Sequence, residues 1–284
     1  MARQALLVGV NDYQSASIGD LRGCINDVSN MRNILKTYFD FTNNDIRVLV
    51  DSRATKANII SRLEKMVATA KKGDCLLFHF SGHGSQIRDR NGDELKDYMD
   101  ELICPYDMNW DNGFITDDTF DSIFKKLPEG VVMEVFLDSC HSGTGLRDLN
   151  LGRPTELGLE NATLYRYLPP PFDIECRCDD NETLLKTRKF TSKERGAVQN
   201  ILWAGCKADQ TSADAYINGA YNGAFTYYLC KHMRDTKGKA SRKELLKLVS
   251  ASLKYGRYSQ TPQLECEPDV QNAILLEQCL KPKG

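Results

Sequence analysis

Two apolar runs that break off into small, polar, chemically loaded residues constrain this chain more than anything else in it. Val131 to Leu137 (VVMEVFL) is apolar except for Glu134 and runs into Asp138-Ser139-Cys140-His141-Ser142-Gly143. Cys75 to Phe80 (CLLFHF) has the same design and runs into Ser81-Gly82-His83-Gly84. Short continuous apolar runs bounded by turn residues read as strands buried on both faces, the condition of strands in a parallel sheet. Open parallel sheets bind ligands beyond the carboxyl ends of their strands. If these two strands end side by side, His83 and Cys140 meet there.

The remaining patterns extend the same architecture. Ala5 to Val10, Asp45 to Asp51 and Gln199 to Ala204 read as further buried strands, with shorter ones at Asp100 to Pro105, Thr261 to Cys266 and Val270 to Leu276. Val28, Met31, Ile34, Leu35 and Tyr38 recur at helical spacing, as do Ile59, Ile60, Leu63, Met66 and Val67 behind a Thr55 cap. Helices are also expected over Thr119 to Lys126, Ala220 to Met233 and Ser241 to Tyr255, and a hairpin around Asn91-Gly92 between Arg88 and Met99. Alternating strands and helices predict an α/β fold with a mostly parallel central sheet of about six or more strands flanked by helices. Residues 149 to 196 carry Pro169-Pro170-Pro171 and many charges with little periodicity, and read as a long loop or insertion within a single domain over residues 1–284.

At 284 residues and 41% hydrophobic, the chain buries a full core. Its 37 basic and 39 acidic residues leave a formal charge of −2, which argues against nucleic-acid and membrane-surface partners. Of ten cysteines, Cys75, Cys206 and Cys230 lie in apolar runs and read as buried thiols. No apolar stretch approaches a membrane span, and MARQALLVGV lacks the pattern of a signal peptide. The expectation is a soluble, thiol-reduced, cytoplasmic protein.

A thiol becomes an effective nucleophile at neutral pH when a nearby base takes its proton. Cys140 opens a polar stretch with Gly143 and Gly145, which argues against a thiol that merely fills the core. His83 lies between two glycines, which let the backbone approach a ligand closely. His141 is a rival base, although neighbours on an extended chain point apart. His79 alternates with Phe78 and Phe80 and reads as a packing residue. His232 sits near a helix end, where an imidazolium suits the dipole. The pair His83 and Cys140 points to a cysteine peptidase.

These motifs carry a family resemblance. Phe80-Ser81-Gly82-His83-Gly84 and Asp138-Ser139-Cys140-His141-Ser142-Gly143 resemble the two catalytic signatures of the metacaspases, caspase-like cysteine peptidases. Leu21-Arg22-Gly23-Cys24-Ile25-Asn26-Asp27, Gly92-Asp93-Glu94 with Asp100-Glu101, and Asp209-Gln210-Thr211-Ser212-Ala213 are similar to further blocks of that family. Asp138-Ser139 stands where ordinary caspases have Gln-Ala, so the resemblance is to metacaspases and not to caspases proper.

The resemblance implies a caspase-like fold, with residues 1–148 as a large-subunit-like region, 149–196 as linker and 197–284 as a small-subunit-like region. It implies Cys140 as nucleophile, His83 as its base, and the backbone N–H groups of Gly84 and Cys140 as an oxyanion hole. It implies cleavage of protein or peptide substrates after Arg or Lys through an acidic pocket of Asp27 and Asp138 with Ser81 beside them. Read from the residues alone, Asp138 and Asp27 serve equally well as caps of the turn and helix that follow them. Cys24 matches a second family cysteine, a minor nucleophile or a pocket wall. Calcium is implied as activator, through Asp100, Asp117, Asp118 and Asp148, whose oxygens suit a hard cation. No organic cofactor is implied, and the resemblance is to monomers. Lys186, Arg188, Lys189, Lys193 and Arg195 are candidate self-cleavage sites. The competing readings are a caspase-like peptidase of other specificity and a non-catalytic calcium-sensing relative.

Overall fold

The computed structural model describes residues 1–88, 99–141, 162–175, 199–207 and 210–277. The chain opens with β1 (Arg3–Gly9), α1 (Cys24–Tyr38), β2 (Ile46–Val50), α2 (Lys56–Thr69) and β3 (Cys75–Ser81). Then come β4 (Gly84–Arg88), β5 (Met99–Ile103), β6 (Ile115–Thr116), α3 (Asp117–Phe124) and β7 (Val132–Asp138). After these follow β8 (Leu164–Tyr165), α4 (Phe172–Glu175), β9 (Gln199–Ala204), β10 (Ala213–Ile217) and β11 (Ala220–Gly223). The last elements are α5 (Ala224–Asp235), α6 (Arg242–Tyr255), β12 (Gln263–Glu265) and α7 (Pro268–Gln271).

Six strands form the central sheet in the order β12-β9-β7-β3-β1-β2, all parallel except β12. The predicted α/β architecture is therefore present, with strands from both sides of residues 142–198 in one sheet. Two three-stranded antiparallel sheets, β4-β5-β6 and β11-β10-β8, complete the described strands. No helix among the described residues is long and apolar enough to cross a membrane.

Strand alternation divides the core. Leu6, Val8, Leu76, Phe78, Phe80, Met133, Val135 and Leu137 face one cluster, closed by Ile59, Leu63, Met66 and Val67 of α2 and Phe120, Ile123 and Phe124 of α3. Ala5, Leu7, Leu77, Phe136 and Trp203 face the other, closed by Val28, Met31, Ile34 and Leu35 of α1 with Phe225, Leu229, Leu245, Val249 and Leu253 of α5 and α6. The polar interruption in β7, Glu134, is fully buried on this second face. It accepts from Trp203 Nε1 at 3.0 Å and from Arg242 Nε at 2.8 Å, and Arg242 Nη2 also pairs with it. Burial pushes the Glu134 carboxyl up, while Arg242 pulls it back. A charge can stand in this core because α6 brings an arginine to it.

Thr55 caps α2 through the Asn58 amide, as its sequence position predicts. Ser241 and Glu244 form a reciprocal capping box on α6. β4 and β5 pair antiparallel on either side of the expected Arg88 to Met99 hairpin, whose tip lies outside the described residues. Three expectations are corrected. Residues 149 to 196 are not loop throughout, since β8 and α4 lie within them. The helix expected from Ala220 begins at Ala224, because β10 and β11 form a hairpin through Asn218 and Gly219. Both of those residues have positive φ, 50° and 87°, the backbone of a two-residue hairpin turn. Val270 to Leu276 is not a strand: Pro268 opens α7, and only an isolated bridge joins Ile274 to Ser241. In addition, Cys75 is disulfide-bonded rather than a free thiol, its partner lying outside the described residues.

Candidate active site

β3 and β7 run in parallel register with Ser81 opposite Asp138, so the segments carrying His83 and Cys140 leave the sheet side by side. β1 ends level with them, Gly9 opposite Ser81. A Cβ on Gly9 would sit 2.8 Å from the Cys24 carbonyl, so this glycine lets the start of α1 close over the strand ends. The site is thus built at the carboxyl edge of a parallel sheet.

His83 is held from three directions. Its amide donates to Tyr13 Oη at 2.8 Å, its ring lies 5.1 Å from the Tyr13 ring centre, and its Nε2 meets the Gly19 carbonyl at 2.7 Å. A carbonyl only accepts, so Nε2 carries the proton and Nδ1 keeps its lone pair. Nδ1 is buried without a hydrogen-bond partner. Burial lowers the imidazole pKa to about 4, and the Gly19 carbonyl opposes that shift. His83 is a neutral ring with a free basic nitrogen.

Cys140 is fully buried and hydrogen-bonds the Ser212 carbonyl at 3.6 Å, with the Ser212 amide also on its sulfur. The thiol is not hydrogen-bonded to His83. Cys206 donates to the Ser139 carbonyl at 3.5 Å and hydrogen-bonds Cys140, and this contact and burial push its own pKa up. His141 lies 3.6 Å from Glu101 of β5.

Asp27 and Asp138, the acids expected to form a pocket, both pair with an arginine of the chain itself. Arg166 follows β8 and its side chain is wholly buried. Nη2 is 2.8 Å from Asp27 and 3.0 Å from Asp214, while Nη1 lies 3.3 Å from Asp138. Nη1 also donates to Ser81 Oγ at 2.7 Å and to the Asp138 carbonyl at 3.1 Å. The carboxylates are themselves braced. Ser81 and the Gly223 amide donate to Asp27, Ser212 and Thr226 to Asp138, and the Arg22 and Gly23 amides to Asp214. Burial pushes Asp27 up to about 7, with Arg166 pulling the other way.

The backbone of Arg166 is held too. Its carbonyl oxygen accepts from the Gly84 amide at 2.9 Å and the Cys140 amide at 3.2 Å. Two convergent N–H groups on one carbonyl are the arrangement that stabilises an oxyanion. A Cβ on Gly84 would sit 3.2 Å from the Cys140 nitrogen and closer still to its carbonyl, so only glycine allows the two amides to converge.

Cys24 is fully buried at the edge of this pocket and burial pushes its thiol pKa up, which suits a wall. His79 is buried within β3 beside Thr226 at 3.3 Å, its pKa lowered to about 4 by burial. His232 lies in the last turn of α5 as expected, hydrogen-bonded through Nε2 with Ser252 Oγ at 2.8 Å, but burial and then the Lys231 charge lower its pKa, which disfavours the imidazolium. Of the acids expected to bind calcium, Asp100 lies on β5, and Asp117 and Asp118 open α3. Burial, with Asp100, Glu101 and Asp118 nearby, pushes Asp117 up to about 8. Among the described residues no group of three or more His, Cys, Asp or Glu side chains is set to hold a metal ion, and Asp148 lies outside them.

Residues 3–149 match the metacaspase, peptidase C14 domain family. Over 93% of its length the chain is 32% identical to Metacaspase-1 of Pyricularia oryzae, covering 71% of that protein. It is 34% identical to Metacaspase-1 of Meyerozyma guilliermondii over 92% of its length and 68% of that protein. The chain belongs to the metacaspase family. It is a caspase-like cysteine endopeptidase. Protein GSU0716 from Geobacter sulfurreducens shares the fold with a TM-score of 0.68 at 25% identity, covering 97% of this chain and 98% of its own. Caspase-1 from Spodoptera frugiperda shares it with a TM-score of 0.57 at 14% identity, covering 92% and 85%.

Several residues of this metacaspase site escape a sequence reading. Asp214, the third acid around Arg166, lies one position beyond the Asp209 to Ala213 block. Gly19 and Tyr13 fix His83 from a loop without any motif. Arg166 lies in a stretch whose only signal is the alternation of Leu164, Arg166 and Leu168 with tyrosines, too short to establish a period.

Proposed function

We propose that this metacaspase cuts protein and peptide substrates after arginine or lysine, with Cys140 as nucleophile and His83 as base. The observation that supports it is Arg166: one guanidinium paired with three buried carboxylates while its own carbonyl accepts from the Gly84 and Cys140 amides. A basic side chain and the carbonyl next to it are thereby recognised together, as a cysteine peptidase needs at its scissile residue. Three carboxylates around one guanidinium position repel an acidic side chain, which disfavours Asp there. The planar fork of arginine takes two carboxylates at once, and lysine offers a single ammonium.

In the proposed reaction, His83 Nδ1 takes the thiol proton and the thiolate attacks the scissile carbonyl. The oxygen gathers negative charge between the two amides. The imidazolium then gives its proton to the leaving amine, and water hydrolyses the thioester. The thiol must exchange its Ser212 contacts for His83 before the first step.

We also propose calcium activation through Asp100, Asp117, Asp118 and Asp148. Their donor chemistry fits: oxygen ligands alone, three of them on β5 and the start of α3, with like charges that a divalent cation would offset. β5 leads to Cys104, whose amide donates to the His83 carbonyl at 2.9 Å, so ordering β5 bears on the histidine. Self-processing belongs to the same reading. Its candidate sites Lys186, Arg188, Lys189, Lys193 and Arg195 lie outside the described residues.

The deciding experiment is a peptide series differing only at P1, assayed with and without Ca²⁺. Arg and Lys peptides are expected to turn over at least a hundredfold faster than Asp or Asn peptides, with Ca²⁺ raising the rate. Equal rates at P1 would remove the specificity reading. A rate indifferent to chelation, with no heat of binding on Ca²⁺ titration, would remove the calcium reading.

A further inference from the structure

Two hydroxyl groups hold the Asp138 carboxylate, and each hydroxyl is itself held from behind. Ser212 Oγ donates to Asp138 Oδ1 at 2.6 Å, and Thr226 Oγ1 donates to Oδ2 at 2.7 Å. A hydroxyl has one proton, so with that proton on the carboxylate each oxygen can only accept from its other neighbour. Behind Thr226 stands His79, its Nε2 at 3.3 Å. Behind Ser212 stands Gln260, its Nε2 at 3.1 Å. The Gln260 amide has one orientation, since its Oε1 accepts from the Ala213 amide at 3.0 Å and its Nε2 donates to the Gly205 carbonyl at 2.8 Å. His79 is then the Nε2–H tautomer, and its buried Nδ1 has no hydrogen-bond partner among the described residues. Packing alone does not account for that ring. His79 lies level with Leu7 of β1 and Phe136 of β7, where a hydrocarbon side chain would leave no nitrogen unpaired.

We propose that His79 and Gln260 are positioning residues for recognition of the basic side chain: by donating to Thr226 and Ser212 they turn both hydroxyl protons onto Asp138. The inference rests on the Arg/Lys reading and adds the residues that orient one of its acids. Thr226 lies in the first turn of α5, where a threonine hydroxyl can instead donate to a carbonyl one turn back. Turning away would leave the His79 N–H without an acceptor and Asp138 short of a donor, and both side chains are fully buried. The Thr226 amide adds a third donor, to Oδ2 at 2.9 Å. With both oxygens anchored, the carboxylate presents a fixed face to the guanidinium position. Acceptors fixed in advance favour a cation at one place over an uncharged chain of the same shape. Burial lowers the His79 pKa to about 4, so the ring stays neutral and does not oppose an incoming guanidinium.

The test is a selectivity ratio measured on the full-length chain: kcat/KM for a P1-Arg peptide over that for its P1-citrulline counterpart, which has no charge. Both peptides meet the same enzyme, so the ratio does not depend on how much of it is active. His79→Phe and Gln260→Met should each lower the ratio about tenfold, through a higher KM for the Arg peptide with kcat little changed. His79→Gln returns an N–H near the Nε2 position and should recover most of the loss. Thr226→Val should lower the ratio as His79→Phe does, and the double variant should fall no further. Nitrogen-15 NMR of histidine-labelled Cys140→Ala chain should show His79 as the neutral Nε2–H tautomer, a readout on the unaltered side chain. An Nδ1–H tautomer overturns the donor role. Ratios unchanged in folded His79→Phe and Gln260→Met overturn the inference and leave the specificity reading standing. A loss that His79→Gln does not repair assigns the effect to packing and overturns it equally. If the wild type itself shows no preference for Arg over citrulline, the specificity reading fails and takes this inference with it.

Discussion

At the scale of single residues, the site works by making groups with ordinary chemistry unable to relax. The Gly84 and Cys140 amides converge on one oxygen because neither backbone can move without the other. Gly84→Ala forces its Cβ onto Cys140. The expected outcome is a fall in kcat of about a hundredfold with little change in KM, since a donor aimed at the developing oxyanion acts on the transition state. Steady-state kinetics on a P1-Arg peptide measures both. Asp27 is expected to carry the pH dependence of the proposed activity. Burial pushes its carboxyl up to about 7, while His83, lowered to about 4, stays neutral and basic well below that. If Asp27 serves the proposed Arg/Lys specificity, it takes a proton as pH falls through neutrality, negative charge around the basic side chain is lost, and kcat/KM for Arg substrates is expected to fall. The same profile measured on Asp27→Asn is expected to be lower throughout and to lack that limb. A limb that persists unchanged would assign it to another group.

At the scale of elements, buried charge explains why helices meet the sheet where they do. α6 begins with Arg242, and its guanidinium supplies the partner for Glu134 in the middle of β7. Arg242→Ala leaves a carboxylate buried and unpaired, a loss of about 3–5 kcal/mol. Urea unfolding should show this as a lowered midpoint. The pair Glu134→Leu with Arg242→Met should recover most of it, because two apolar side chains need no partner. If the double variant is no more stable than Arg242→Ala, the stabilisation comes from packing of the Arg242 stem rather than from the ion pair. β10 has a similar place on the site side: Asp214 enters the pocket, while Ser212 just before it meets both Cys140 and Asp138.

At the scale of the whole molecule, the central sheet joins what lies before and after residues 142–198. β9 pairs with β7 along six positions, Val132 to Leu137, and β12 closes the edge beyond it. Trp203 of β9 stacks on Phe136 of β7 at 5.7 Å. A single cut of the chain between β7 and β9 would therefore sever it without opening the core. The two pieces are expected to co-elute on gel filtration as one species in reductant, which opens the Cys75 disulfide, and to separate only when denaturant is added as well. Dissociation under native conditions would mean that the shared sheet is not what holds them.

Periodicity determined most of the sheet. β3, β7 and β9 are legible as apolar runs because a strand covered on both faces has nowhere to put a polar residue unpaired. The polar segments after Phe80 and Leu137 are legible because chemistry-bearing residues cannot be spared in a core, and the family match follows from those same blocks. The hairpin of β10 and β11 carries its signal in Asn218-Gly219, but the apolar residues after it outweigh that signal in a linear reading. What only the tertiary structure decided is how distant segments share one space. Asp27, Asp138 and Asp214 come together around Arg166 because α1, β7 and β10 converge. Glu134 becomes tolerable because Arg242 reaches it, and Arg166 becomes part of the site because β8 pairs with β10. None of these has a sequence period, since each depends on a contact between residues far apart in the chain. Such contacts exist only once the sheet has brought the strand ends level.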